Sequence, residues 1–263
     1  IAWPKIQIEN LNSLDLDYSN LAAQILRPFI GQDIDHSTLQ KITSEAYSEF
    51  CCEEVAPLVE IGPSLWLLEL FHGPTLSFKD FALQVVSRMF DHVLSQKGEH
   101  ITVIGATSGD TGSAAIEACK DRQNIDLFML HPLGRVSEVQ RRQMTSVHAG
   151  NIYNIAVEGT FDDCQRLVKE MFGDLHFNNE LSLAAVNSIN WARVMVQVVY
   201  YYVTFMKLKD KLLAFSVPTG NFGDVYAGYV AKCTGLSSSE LLVATNQNDI
   251  LHRVLTTGTY QTE

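Results

Sequence analysis

From about residue 65 onward, short apolar runs alternate with longer amphipathic stretches, and this alternation predicts a repeating strand-helix chain. Apolar runs at 65–70, 101–105, 126–130, 152–157, 182–186, 212–217 and 240–245 have strand length and carry many Val, Ile, Leu and Phe residues. Between them, 79–97, 111–121, 136–148, 161–172, 189–207 and 222–234 repeat their apolar positions at helical spacing. Strands separated by helices pair in parallel through right-handed crossovers, so the expected class is α/β with parallel twisted sheets flanked by helices. Residues 1 to about 60 read differently. Tyr18–Leu26 and Ser37–Ile42 open with polar cap candidates and continue with helical spacing, and Pro28, Gly31 and Pro57 punctuate the segment. It is expected to be a helical N-terminal segment.

The chemistry sits at the strand-to-helix junctions, where ligands bind in open α/β sheets. Lys79 lies in Phe71-His72-Gly73-Pro74-Thr75-Leu76-Ser77-Phe78-Lys79-Asp80 at the start of a helix. A lysine there is ordinarily a solvated surface group. Apolar bulk around it and the positive end of a helix dipole instead favour a neutral amine, a Schiff-base former and proton shuttle. Two glycine turns follow: Thr107-Ser108-Gly109-Asp110-Thr111-Gly112 and Thr219-Gly220-Asn221-Phe222-Gly223-Asp224. Each leaves a strand and opens a helix, so backbone N–H groups can converge on an anion. The second matches neither the dinucleotide fingerprint nor the nucleoside-triphosphate loop. Hydroxyls in the first suit a carboxylate; otherwise Asp110 is a helix cap. Asn187-Ser188-Ile189-Asn190-Trp191-Ala192-Arg193 forms a third anion-friendly helix start. An amine plus these cradles suits a ligand bearing an aldehyde and a phosphate. His72 reads equally as a packing residue or an acid-base group, and Tyr200-Tyr201-Tyr202 as a packing surface.

Charge narrows the partners. Nineteen basic against thirty acidic residues give a net charge of -11, which repels nucleic acid and anionic membranes but leaves room for a local anion pocket. Five cysteines without zinc-type spacing read as reduced thiols in a cytoplasmic enzyme, with no metal site. Neither a membrane-length apolar run nor a signal-peptide pattern is visible. A chain starting at Ile1 and ending at Glu263 after a Thr/Gly stretch reads as a fragment.

The motifs around Lys79, Thr107–Gly112, Asn187–Asn190 and Val217–Asp224, in this order, resemble threonine synthases. That resemblance implies the tryptophan-synthase-β-like fold (fold type II) and conversion of O-phospho-L-homoserine and water to L-threonine and phosphate, with pyridoxal phosphate as cofactor. It also implies a helical segment 1–60, a large cofactor-binding domain from 61–100 and 181–263, and a smaller domain 101–180. In it Lys79 resembles the lysine that binds the cofactor, and Gly220, Asn221, Phe222, Gly223 and Asp224 the phosphate loop. Thr107, Ser108 and Thr111 resemble the substrate-carboxylate loop, with Asp110 near the cofactor's phenolic oxygen where many members carry Asn. Asn187, Ser188 and Arg193 resemble the substrate-phosphate grip. Members extend further and supply there a hydroxyl to the pyridine nitrogen. Two rivals stand beside this reading: a related phospho-lyase giving 2-ketobutyrate, and a non-catalytic relative that only binds a small anion.

Overall fold

The computed structural model describes residues 4–6, 17–185, 190–208, 212–219, 221–236 and 239–260. In chain order the elements are α1 (Tyr18–Ile30), α2 (His36–Tyr47), β1 (Leu58–Gly62), β2 (Leu65–Leu68), α3 (Lys79–Lys97), β3 (Ile101–Ala106), α4 (Asp110–Cys119) and β4 (Ile125–Pro132). They continue with α5 (Glu138–Thr145), β5 (Ile152–Val157), α6 (Phe161–Gly173), α7 (Leu175–Leu181) and β6 (Leu183–Ala185). The last are α8 (Trp191–Lys207), β7 (Leu213–Pro218), α9 (Gly223–Thr234), β8 (Ser239–Ala244) and α10 (Ile250–Thr257). Contacts divide the chain into two units, one of residues 41–187 and one of 1–40 with 188–263.

The 41–187 unit is built on a parallel sheet of order β5-β4-β3-β6. Successive positions of β3 point to opposite faces, and the core splits accordingly. Val103, Leu127 and Met129 pack under Ala114, Ala115 and Ile116 of α4 and Met144 of α5. Ile104 and Leu130 face Cys164, Leu167 and Val168 of α6 on the other side. The chain runs from β3 outward to β4 and β5, then crosses back to place β6 on the opposite flank of β3. At such a reversal ligands bind beyond the carboxyl ends of the strands, and the loop leaving β3 is Thr107–Gly109.

The run at 65–70 departs from the expected parallel sheet. Leu65–Leu68 pairs antiparallel with Leu58–Gly62, a strand lying in the segment read as helical. Only Pro63 and Ser64 separate the two strands, with Ser64 at φ 58°, and so short a connection permits only a hairpin. The pattern does not predict helices α7 and α10: they have 7 and 8 residues, about two turns, too few for a helical repeat to stand out.

In the 1–40 and 188–263 unit, α8 is buried along most of its length, from Val194 through Tyr202 to Met206. It packs on α1 and α9. Asp17 caps α1 by accepting from Asn20 N–H at 2.8 Å, and Asn190 caps α8 by accepting from Ala192 N–H at 2.9 Å. β7 and β8 pair in parallel with α9 as their crossover. An open cleft of about 470 Å³ lies at their carboxyl ends, lined by Pro218, Thr219, Ala244, Thr245, Asn246 and Asn248.

Candidate active site

Lys79 is the first residue of α3 and is only 9% exposed. The loop before it is held by Asp80, which is fully buried. Its carboxylate accepts from Thr75 N–H at 2.8 Å, Thr75 Oγ1 at 2.7 Å and Ser77 N–H at 3.4 Å. Burial pushes the Asp80 carboxyl up, and these hydrogen bonds oppose that shift. Gly73 comes so close that a Cβ there would sit 2.5 Å from Asp80 Cβ. Leu76 is driven to φ 59°, its N–H donating to Gly73 O at 3.0 Å, and Gln143 of α5 donates to Thr75 O at 3.0 Å. A positive φ at leucine is costly and persists only where its surroundings over-determine it.

The Lys79 ammonium donates to Asp110 Oδ2, and its Nζ lies 4.8 Å from the Phe78 ring centroid. Asp110 is the first residue of α4, and Gly109 rather than Asp110 occupies the cap position. Gly109 has φ 154° and no side-chain cap bond, and the N–H groups of this turn are met by its own side chains. Asp110 Oδ1 accepts from Thr111 N–H at 2.8 Å. Thr107 is buried, and its Oγ1 accepts from Gly109 N–H at 3.0 Å and Gly112 N–H at 2.8 Å, which shapes the turn from inside. Ser108 is exposed and Thr111 half-buried. The structure therefore brings Lys79, Asp110 and the β3–α4 turn together in one unit.

In the other unit, the turn 219–224 opens α9. Phe222 sits at the cap position with φ 62°, has no side-chain cap bond, and donates its N–H to Thr219 Oγ1 at 3.1 Å. Thr219 N–H donates to Ala244 O at 3.1 Å, tying the turn to the end of β8. Gly223 and Asp224 are the first two residues of α9. Asp224 Oδ1 accepts from the Tyr200 hydroxyl and, at 3.2 Å, from the Tyr201 hydroxyl, which also reaches Asp224 O at 3.1 Å. Burial first, and then the Asp224 charge, pushes both phenols well above their ordinary value, so they stay protonated donors. The tyrosine run is thus more than a packing surface: two of its hydroxyls anchor the helix start. Adjacent tyrosines on a helix facing a conspicuous Asp were the available signal, but their partner lies 23 and 24 residues away. Arg193, in the first turn of α8, is 4% exposed. Gly220, Asn187 and Ser188 lie outside the described residues.

Comparison with known proteins matches this arrangement to one family. Residues 52–263 match the family model described as "Pyridoxal-phosphate dependent enzyme", and residues 1–47 match "Threonine synthase N terminus". The chain is 53% identical over 260 residues to the threonine synthase of Pseudomonas aeruginosa, covering 98% of this chain and 55% of that protein. Among solved structures, pyridoxal-phosphate-bound threonine synthase from Brucella melitensis superposes with a TM-score of 0.95 at 51% identity, covering 99% of this chain and 57% of the other. Yeast threonine synthase gives 0.91 at 43% identity, with coverages of 99% and 54%. The chain thus spans about half the length of the relatives it matches. Its parallel sheets flanked by helices and its helical N-terminal segment are those of fold type II. With a buried lysine at a helix start and the family model running across both units, the chain belongs to the pyridoxal-phosphate-dependent enzymes.

Proposed function

We propose that this chain carries out the threonine synthase reaction, converting O-phospho-L-homoserine and water to L-threonine and phosphate. The observation that carries the reading is the Lys79 amine, buried at a helix start and held by the carboxylate of the glycine turn after β3. Likeness above 50% identity to threonine synthases over nearly the whole chain supports the choice of reaction.

The residues present fit the cofactor. An amine for its aldehyde is supplied by Lys79. The start of α9, without a side-chain cap and with Phe222 in the left-handed region, suits its phosphate through the backbone of Gly220, Asn221, Phe222 and Gly223. Asp224 closes that turn and holds the helix start through Tyr200 and Tyr201. When bound, pyridoxal phosphate supplies an electron sink for charge developing at the substrate's α-carbon.

The chain's own residues then do the rest. Lys79 Nζ would remove and return protons on the substrate, since one amine held beside the reacting atoms serves neighbouring carbons alike. Asp110 Oδ2, hydrogen-bonded to Nζ, stabilises the protonated amine and orients it. Ser108 and Thr111 bind the substrate carboxylate, with Thr107 fixing the turn. Asn187, Ser188 and Arg193 bind its phosphate, for which a guanidinium fork is well matched. A small-molecule substrate, no nucleic-acid partner and a cytoplasmic setting complete the reading; all five cysteines are free, and among the described residues no helix is long and apolar enough to cross a membrane.

The test is an end-point assay on the full-length protein supplied with O-phospho-L-homoserine or phosphothreonine. Stoichiometric L-threonine and phosphate from phosphohomoserine are expected. Release of 2-ketobutyrate in place of threonine makes the protein a phospho-lyase, and no turnover together with no visible absorbance band leaves only anion binding.

A further inference from the structure

Three side chains of the 41–187 unit form a line: Cys51, His72 and Glu69. His72 Nε2 lies 2.7 Å from Glu69 Oε2, and His72 Nδ1 lies 3.9 Å from Cys51 Sγ. An ionised carboxylate can only accept, so the imidazole proton belongs on Nε2. Nδ1 then presents its lone pair to the thiol. The Cys51 S–H donates to it.

The backbone holds this line in place. Cys51 N–H donates to His72 O at 2.9 Å, and Glu69 N–H donates to Pro57 O at 2.9 Å. The Phe71 ring packs against the imidazole with centroids 4.9 Å apart. A thiol, an imidazole and a carboxylate in this order form the arrangement by which a cysteine is activated as a nucleophile, because the thiolate and not the thiol is the reacting species.

Among the five cysteines this environment is particular to Cys51. Cys119 and Cys164 are buried, which withholds them from solutes and pushes the Cys119 thiol up to about 12. Cys52 and Cys233 are half-buried, while Cys51 is exposed.

We propose that Cys51 is a reactive thiol that forms mixed disulfides with low-molecular-weight disulfides, with His72 as its proton acceptor and Glu69 as the residue positioning the imidazole. The thiol proton passes to His72 Nδ1, and the thiolate attacks one sulfur of the small disulfide. One S–S bond forms to Cys51 as the original S–S bond breaks. The departing thiolate takes up the proton, so the small disulfide is the oxidant and one of its sulfurs leaves reduced. His72 also begins the segment that runs through Gly73 and Thr75 to Lys79, so the adduct lies at the start of that loop.

The experiment uses the full-length protein and hydroxyethyl disulfide, a neutral probe, with acid quenching and peptide mapping to obtain a rate for each cysteine. Cys51 is expected to react at least about tenfold faster than Cys52 and Cys233. His72→Gln lowers the Cys51 rate by about tenfold and Glu69→Gln by a smaller factor, while Glu69→Asp retains most of it. A Cys51 rate within about twofold of a free peptide of residues 50–53 overturns the proposal. So does an unchanged rate in a folded His72→Gln protein. Should that variant not fold, the comparison of wild type, Glu69→Gln and Glu69→Asp decides: equal Cys51 rates in all three overturn the assignment of Glu69 and His72.

Discussion

Replacing Tyr200 or Tyr201 by Phe removes a single hydroxyl from the clamp on the half-buried Asp224 carboxylate without opening a cavity, because the ring stays in place. Both side chains are at most 2% exposed. Tyr200 donates to Asp224 Oδ1 at short range, whereas Tyr201 divides one proton between Oδ1 at 3.2 Å and the backbone oxygen at 3.1 Å. A hydrogen bond to a charged group contributes about 1.5–3 kcal/mol, and a long, shared one falls at the lower end. Tyr200→Phe should therefore cost about 2–3 kcal/mol and Tyr201→Phe about 1–1.5 kcal/mol. Removing both leaves the half-buried Asp224 carboxylate without its phenolic donors, so the double variant should exceed the sum of the singles, as expected for neighbours sharing one acceptor.

The assay is urea unfolding of the full-length protein followed by far-UV circular dichroism, paired with cofactor titration. Loosening the start of α9 should also weaken cofactor binding, by about tenfold for every 1.4 kcal/mol by which the grip on the phosphate weakens. A second arm, Tyr200→Phe in an Asp224→Asn background, should show a coupling of about 1 kcal/mol or more. Single variants that change stability by less than about 0.5 kcal/mol and leave cofactor affinity alone would refute the clamp. Equal costs for the two tyrosines would refute the argument from the shared proton.

Three further outcomes are expected. Borohydride reduction of the holoprotein followed by peptide mapping should fix the cofactor on Lys79, and Lys79→Ala should abolish the label; recovery of the label on any other lysine removes Lys79 from its role. Gly73→Ala should destabilise the protein by about 1–3 kcal/mol through overpacking against Asp80, a Cβ contact of 2.5 Å, and a neutral effect in denaturant titration would mean that the loop gives way. Glu138, bonded to Arg141 and Arg142 on α5, has its carboxyl lowered from 4.5 to about 2. Because the folded value is the depressed one, its contribution to stability is present above pH 4.5 and is lost as pH falls toward about 2. Side-chain carboxyl NMR should show this midpoint, and titration near 4.5 would mean the fork is not populated.

Much of this protein is legible in its sequence because it depends on local periodicity and local chemistry. β5 (Ile152–Val157) and α3 (Lys79–Lys97) fall where apolar spacing puts them, since alternation and the 3.6-residue repeat report which face of an element is buried. Lys79 and the two glycine turns stand out for the same reason: a helix start is coded by a few adjacent residues. What the pattern could not supply is partnership. Leu65–Leu68 carries the same apolar signal as the core strands, yet its pairing was decided by Pro63-Ser64, which turns the chain back on Leu58–Gly62. Asp110 reads as a cap, and only folding brings it to an amine 31 positions earlier in the chain. The Tyr200, Tyr201 and Asp224 clamp and the pairing of Cys51 with His72 likewise join residues far apart in sequence. Burial of a face is a property of the segment, whereas the identity of a hydrogen-bond partner is a property of the topology that brings two segments together, and that the tertiary structure alone decides.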